Sequence, residues 1–400
     1  MKTILFLSTH NLATNPRLVK EINLALQLNY RVEVICYIFR NWSYDLNNNL
    51  MDEFKGKGVN FHCIEAGRQA FGAWIISTVR EKYFKALSQI ISLKNGSLAN
   101  VVSKRNNGLI EAVKKIQSVD WVIGHNPGAL WATCFAGKKL NCKMGFDVED
   151  YHPGEGSNKL QQQLTKKLMK SLLPKMDYVS FASHLIMEEV KKNIATNNPN
   201  WFTILNYFPK EEFSLPKTEI SGRLKLVWFS QNISAERGLE LVLPLVKANP
   251  TKMELHLYGK INYDFMEKQL EAENIIIHEP VPQKELHQAL GLYDVGLALE
   301  PAKDLNNDLA ISNKILAYLQ SGLYILASNT AAQQSFLEKH PKAGICFDHK
   351  KNDSDIVLDS LVKEIELIRQ QRLVRFEQYQ KNNWEIESIS LINKWIEACT

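Results

Sequence analysis

Three short segments hold most of the residues that could do chemistry. The run Asp147-Val148-Glu149-Asp150-Tyr151-His152 packs three carboxylates and a histidine into six residues. Concentrated charge is costly unless it is solvated or used. The run reads either as a solvated acidic turn or as acid–base machinery, and hard oxygens also suit magnesium or manganese, although no further ligand is visible. Ser312-Asn313-Lys314 opens an amphipathic stretch, Ile315 to Gln320, that closes on Ser321-Gly322. Ser312 or Asn313 can cap that helix and Gly322 fits its C′ end, but a lysine in the first turn opposes the helix dipole and asks for an anion. Lys314 and the free N–H groups of the helix start therefore make a cradle for a diphosphate, the bland alternative being a surface lysine beside an ordinary cap. Arg237-Gly238 opens a second helix, and its guanidinium would complete the anion site by bidentate hydrogen bonds.

The elements that must position these residues follow from the apolar runs. ILFLS (4–8), an amphipathic stretch from Leu18 to Leu28 and RVEVICYI form a βαβ unit, which demands a parallel sheet covered on both faces. Further short runs occur at WVIGH (121–125), KMGFDV (143–148) and DYVSFAS (177–183). After a polar segment from Pro209 to Arg223 a second series begins with LKLVWFS (224–230) and continues through MELHLYG (253–259), NIIIHE (274–279), DVGLALE (294–300) and LYILAS (323–328). Two doubly wound α/β domains are expected, 1–205 and 206–382, with an amphipathic helix over 383–400 whose Trp384 and Trp395 need a partner surface. Ligands of open α/β sheets bind beyond the carboxyl ends of the strands, and two such edges can face one another across a cleft. That rule selects His10 to Arg17, His125 and Asn126, Glu149 to His152, Ser230 to Arg237, Gly259 and Lys260, and Glu300 to Lys314.

The chain has 400 residues, 45% of them hydrophobic and 23% charged, which excludes disorder and a disulfide miniprotein. Its net charge of +5 conceals a division: residues 1–205 carry 26 basic and 16 acidic side chains, net +10, and the remainder 22 and 27, net −5. One half is therefore expected to face something anionic. Cys36, Cys63, Cys134, Cys142, Cys346 and Cys399 show no zinc or CxxC spacing, which fits a reduced compartment. Ile4 to Leu7 is too short for a secretory core, and no window reaches about 18 apolar residues, so a cytoplasmic protein, soluble or peripheral at the inner face of a membrane, is expected. Neither GxGxxG after a strand nor GxxxxGK[ST], GxSxG or HExxH occurs, which removes support for classical NAD enzymes, P-loop NTPases, serine hydrolases and zinc proteases.

The order of these segments resembles glycosyltransferase family 4, the group 1 glycosyltransferases, over almost the whole chain. TNPRLVKE before RVEVI resembles an opening D/N-P-R element, FDVEDYHPGE a Y-D-x-H-E element, and LNYFP an interdomain crossover. FSQNISAERGLELV resembles the donor-side strand with its K/R-G helix, and SNKILAYLQSGLYILAS resembles P-N-K-x-F-E-Y-x-x-x-G-x-P-V-I-A-S, the most specific match. The resemblance implies a GT-B fold, two facing Rossmann-like domains with a C-terminal helix returning to the first. It implies hexosyltransferase-like transfer from a nucleotide-diphosphate sugar with retention of configuration, to a glycan or lipid-linked acceptor of a bacterial surface polysaccharide, with no cofactor and no metal. The implied donor site comprises Arg237, Ser312, Asn313 and Lys314 with Ser230, Gln231 and Gly259. The implied acceptor side comprises Asn11, Asn15, Arg17 and Tyr151, with Glu149, Asp150 and His125 as catalytic groups.

Three places depart from the family pattern: Glu149 and Asp150 stand at its histidine and glutamate, Ala317 at the glutamate that holds the donor ribose, and Gln231 near the position where a second phosphate-binding arginine often falls. Those departures motivate a catalytically degenerate binding or scaffold subunit as an alternative; a nucleotide-sugar epimerase is a third reading. Residues 68–105 hold seven bases and one acid among aromatic and aliphatic residues, which fits either a peripheral membrane contact or a packed helical insertion with a solvated basic face. A second basic helix is expected over Lys159 to Lys175. Nucleic acid is not an expected partner, because no recognised binding module accompanies the basic excess.

Overall fold

Most of the apolar runs become strands of two parallel sheets in a computed structural model that describes residues 1–196, 198–217, 221–261, 269–348 and 354–397. The side chains of residues 68, 354 and 355 are outside that description, so Arg68 of the basic stretch is known only by its backbone, and Cys399 lies outside it altogether. The chain divides into two compact units, Met1–Ile204 joined by the segment from Ser390, and Leu205–Ile389.

The first unit contains β1 (Thr3–Ser8), β2 (Arg31–Ile38), β3 (Asn60–Glu65), β4 (Trp121–His125), β5 (Lys143–Val148), β6 (Tyr178–Phe181) and β7 (Trp201–Thr203). Their order is β3-β2-β1-β4-β5-β6-β7. Ile4 to Leu7 and Val34 to Cys36 are wholly buried, as expected of central strands covered on both faces. Asn15 starts the helix Pro16–Gln27, its side chain accepting from the Leu18 N–H while Pro16 occupies the first turn. In register, Ser8, His125, Asp147 and Ser180 form a row across β1, β4, β5 and β6 at their carboxyl ends.

The second unit contains β8 (Leu224–Ile233), β9 (Met253–Ile261), β10 (Ile275–His278), β11 (Val295–Ala298), β12 (Tyr324–Ser328) and β13 (Gly344–Phe347), in the order β10-β9-β8-β11-β12-β13. Both sheets are doubly wound. Strand order reverses between β1 and β4 in the first and between β8 and β11 in the second, and these crevices are where such sheets bind ligands.

The structure departs from the sequence reading in four places. Three edge strands, β3, β7 and β13, are new; β3 and β7 carry no continuous apolar run, and β13 lies in the short run Ala343 to Phe347. β8 continues past Ser230 to Ile233, because Ile233 is drawn into the core and pairs with Ile261. Arg237-Gly238 leads into a one-turn 3-10 segment, Leu239–Leu241, and the α-helix begins only at Leu243. The C-terminal stretch is two helices: Trp384–Glu387 stays with the second unit, where Trp384 N–H donates to Phe208 O, and Ile389–Glu397 crosses to the first. There Trp395 is wholly buried, donates to Tyr178 Oη at 3.0 Å and sets its edge against Phe6.

Candidate functional site

Each unit concentrates polar chemistry at its own switch point. In the first, Arg17 and Glu21 lie one turn apart on the buried face of the helix Pro16–Gln27. Arg17 grips Asp147 with two bonds of 2.6 Å and donates to Ile204 O at 2.7 Å, while Ser180 Oγ donates to the same carboxylate at 2.6 Å. Burial alone would raise the Asp147 carboxyl; the Arg17 charge and these hydrogen bonds hold it below its ordinary value instead.

His125, wholly buried, stands between two carboxylates, with Nδ1 2.9 Å from Glu149 Oε1 and Nε2 3.3 Å from Glu21 Oε2. Burial lowers the affinity of the ring for its second proton, but Glu21 and Glu149 outweigh it and push the value up to about 10, so at neutral pH the ring is an imidazolium. Burial in turn raises Glu21 above the usual carboxylate range, against the pull of that imidazolium.

The unfolded imidazole titrates near 6.5, so the contribution of His125 to stability is fully present below that value and is lost as pH rises through about 10. Melting midpoints should therefore fall between about pH 7 and pH 10.5. A His125→Gln variant should begin lower at neutral pH and fall less over the same range; parallel curves for the two proteins would contradict the assignment.

Glu149 is the opening of this network. Its Oε1 accepts from Asn15 Nδ2 at 2.6 Å and from His125, whereas among the described residues Oε2 has only a 3.4 Å contact from Asn126 Nδ2. Its side chain is 15% exposed, against none for His125 and Asp147. Asn126 reaches it from a backbone with φ of +68°, a conformation that non-glycine residues seldom adopt. Glu21, His125 and Asp147 bring one ligand atom each within 4.8 Å of one another, which answers the missing-ligand question left by the acidic run. However, the Arg17 guanidinium already occupies both oxygens of Asp147, so the charge opposite that carboxylate is supplied by a side chain.

The other first-unit candidates are mainly internal. Asn11 is buried, donating to Phe39 O and Ser43 Oγ and accepting from Phe39 N–H, and so ties the loop after β1 to the loop after β2. Tyr151 is buried against Glu189 and Asn193. Asp150 is half-buried and helps, after the His152–Glu155 bond, to raise His152 against the opposing effect of burial. His10 is half-buried, and burial and Arg105 lower its ring below the ordinary value against the pull of Glu149.

In the second unit Ser312 caps the helix Asn313–Gln320 by accepting from Lys314 N–H. Lys314 Nζ lies 2.8 Å from Glu300 Oε1 and 5.7 Å from the centroid of the Trp228 ring. Burial would raise the Glu300 carboxyl, but Lys314, Asn307 and Ser312 hold it below its ordinary value. Glu300 is thus the anion that the lysine at the helix start requires in the free protein. Glu300 stands among the residues selected at the strand ends, but its pairing with Lys314 is not visible in the sequence.

Gly238 holds the backbone of the Arg237-Gly238 loop close to the end of β11. Its φ of +86° and its packing against Leu299, where a Cβ would stand 2.7 Å from the Leu299 Cβ, leave room for glycine alone. The loop so pinned lies against the residue preceding Glu300. Arg237 itself is exposed and makes no ion pair with a described residue. Asn313 Oδ1 accepts from Asn206 Nδ2 at 2.9 Å.

Ser230 and Gln231 lie at an irregularity in the β8–β9 ladder, and Gly259, at φ +147°, is required there because a Cβ would collide with Ser230 O. Ala317 is wholly buried among Tyr318, Val227 and Ala298. Asp304 caps the short helix Leu305–Leu309, and Asp308 accepts from Ala331 N–H.

No protein-family model and no curated protein matches the sequence. Solved structures match it over their whole length. HepE from Anabaena in complex with UDP superposes with a TM-score of 0.68 at 11% identity, covering 100% of both chains. A glycosyltransferase from Rickettsia africae gives 0.58 at 14% identity, over 98% of this chain and 99% of its own. The lipopolysaccharide outer core galactosyltransferase WaaB, in its apo form, gives 0.60 at 11%, over 99% of each chain. At these identities what is shared is the fold.

Proposed function

We propose that this chain, which has the GT-B fold, is a glycosyltransferase that takes its sugar from a nucleotide-diphosphate donor bound at the switch point of the second sheet. The observation that carries the reading is the convergence of Lys314, the start of the helix Asn313–Gln320 and the Arg237-Gly238 loop beside Glu300 at the carboxyl ends of β8 and β11. UDP in the HepE structure supports the same ligand class.

Here Lys314 would exchange Glu300 for the diphosphate, and Arg237 and the helix amides would stabilise the charge that develops on the leaving group. The acceptor is assigned to the first unit, at Glu149. Its carboxylate, oriented by Asn15 and the His125 imidazolium, would take the acceptor proton or stabilise positive charge on the sugar. Arg17, Asn11 and Tyr151 serve as the frame. Retention of configuration and a glycan or lipid-linked acceptor complete the reading.

Incubation with a panel of nucleotide sugars, with and without candidate acceptors, and measurement of nucleotide release tests it; no turnover with any donor would count against it. Glu149→Gln should lower transfer by about a hundredfold, within the usual range for a general base, while leaving nucleotide binding unchanged. Equal activity would remove the carboxylate from the chemistry. The burial of Ala317, which offers no hydrogen bond where a ribose contact is expected, favours a binding subunit as the second reading. That reading predicts saturable nucleotide binding with no transfer.

A further inference from the structure

The helix Phe71–Leu87 has no buried residue, although it is the longest helix in the first unit. Phe71, Ile75, Ile76, Val79 and Tyr83 are all exposed, four of them by 59–61%. At about 100° per residue they cover an arc of roughly 140° on one side of the helix. Arg80 and Lys85 fall at the two margins of that arc, and Lys82 within it. Ile90 and Ile91, 81% and 52% exposed, extend the apolar surface past the helix end.

The inner side of the helix covers a cavity of about 430 Å³ lined in part by Tyr37, Phe39 and Ile64, and Ile76 and Arg80 reach its rim, so the exposed residues are not turned out by a crowded interior. Next to Ile91, Lys167 Nζ donates to Ser92 Oγ at 2.7 Å. That bond sets Lys167, on the helix Lys159–Leu172, beside the end of the patch at Ile90 and Ile91. That helix contains no acidic residue and exposes Lys166, Lys167 and Lys170 while burying Leu164, Leu168 and Leu172.

We infer that this surface docks on an anionic phospholipid bilayer, the apolar arc entering the headgroup–acyl boundary and the lysines meeting lipid phosphates. A wide exposed apolar arc bordered by cations is the pattern of a helix that lies in a membrane interface. Long basic side chains at the arc margin can extend to the headgroups while their stems stay apolar. The net +10 of residues 1–205 supplies the long-range attraction. A protein partner of mixed charge would leave this one-signed border without its complement. The inference does not depend on the donor assignment.

Flotation of the full-length protein with vesicles of phosphatidylcholine, with and without phosphatidylglycerol, tests it. Binding is expected only with the anionic lipid and should weaken as salt is raised. Ile76→Ser with Val79→Ser, both at exposed sites, should reduce it about tenfold or more, consistent with the apolar area withdrawn from the interface. Lys166→Gln with Lys167→Gln and Lys170→Gln should reduce it separately. Nucleoside diphosphate titrations of the same variants should be unchanged, which keeps failure here distinct from failure of the donor site. Absence of binding to anionic vesicles, or binding indifferent to the Ile76 and Val79 changes, would overturn the proposal. So would a dimer in sedimentation that those two changes dissociate, since the patch would then belong to a second copy.

Discussion

Replacement of Lys314 by alanine is expected to lower kcat/KM for transfer by about a hundred- to a thousandfold, the usual effect of deleting one donor that stabilises developing negative charge. Lys314 is largely buried, stands over Trp228 and has, among the described residues, a single carboxylate partner, Glu300, which a donor diphosphate would displace. Removal of the ammonium leaves Glu300 with Asn307 and Ser312, so the variant should remain folded while the diphosphate meets an uncompensated carboxylate. Lys314→Ala with Glu300→Gln should recover part of the loss, because the repulsion goes although the cation does not return. Steady-state kinetics of the single and double variants check this. A single variant as active as the parent would place the diphosphate elsewhere.

Arg17→Met should be the most destabilising substitution among the candidate site residues. It strips Asp147 of its bidentate partner inside a region where both side chains are nearly inaccessible, and it also leaves Ile204 O without its donor. Removal of one member of a buried ion pair costs about 3–5 kcal/mol, and for a unit of this size that lowers the melting midpoint on the order of 10 °C. Asp147→Asn added to Arg17→Met should restore part of the stability, since the amide oxygen can still accept from Ser180 without carrying a charge. Thermal melts of the single and double variants measure the coupling. A double variant less stable than Arg17→Met alone would show that the ion pair is not what holds the site.

The central strands were readable because parallel strands covered on both faces must be apolar at every position: Ile4 to Leu7 and Val34 to Cys36 have no polar alternative. Edge strands lack that constraint. β3 alternates half-buried and exposed residues, and β7 has only three, so neither writes a distinctive pattern. Chemistry at the strand ends was legible as residue type and position, which is how Glu149, His125, Lys314 and Arg237 stood out.

What side chains do with one another was less legible. Arg17 and Asn11 follow β1 in the sequence and so read as ligand contacts, yet Arg17 is committed to Asp147 and Asn11 to the loop after β2. Glu21 was hidden for the opposite reason, a charge on a helix face that also buries Leu18, Leu24 and Ala25, where its spacing of four from Arg17 was the available clue. The two C-terminal tryptophans show the same limit. Their need for a surface was plain, but Trp384 meets Phe208 and Trp395 meets Tyr178, in different units.

The central claim is that a nucleotide diphosphate binds beside Lys314 and Arg237, and calorimetric titration with a panel of nucleoside diphosphates tests it most directly. At least one is predicted to bind saturably, to bind about tenfold or more weakly to Lys314→Ala, consistent with loss of one charged contact, and to bind Glu149→Gln as it binds the parent. Binding by none of the panel, or equal affinity for the parent and Lys314→Ala, would contradict the account.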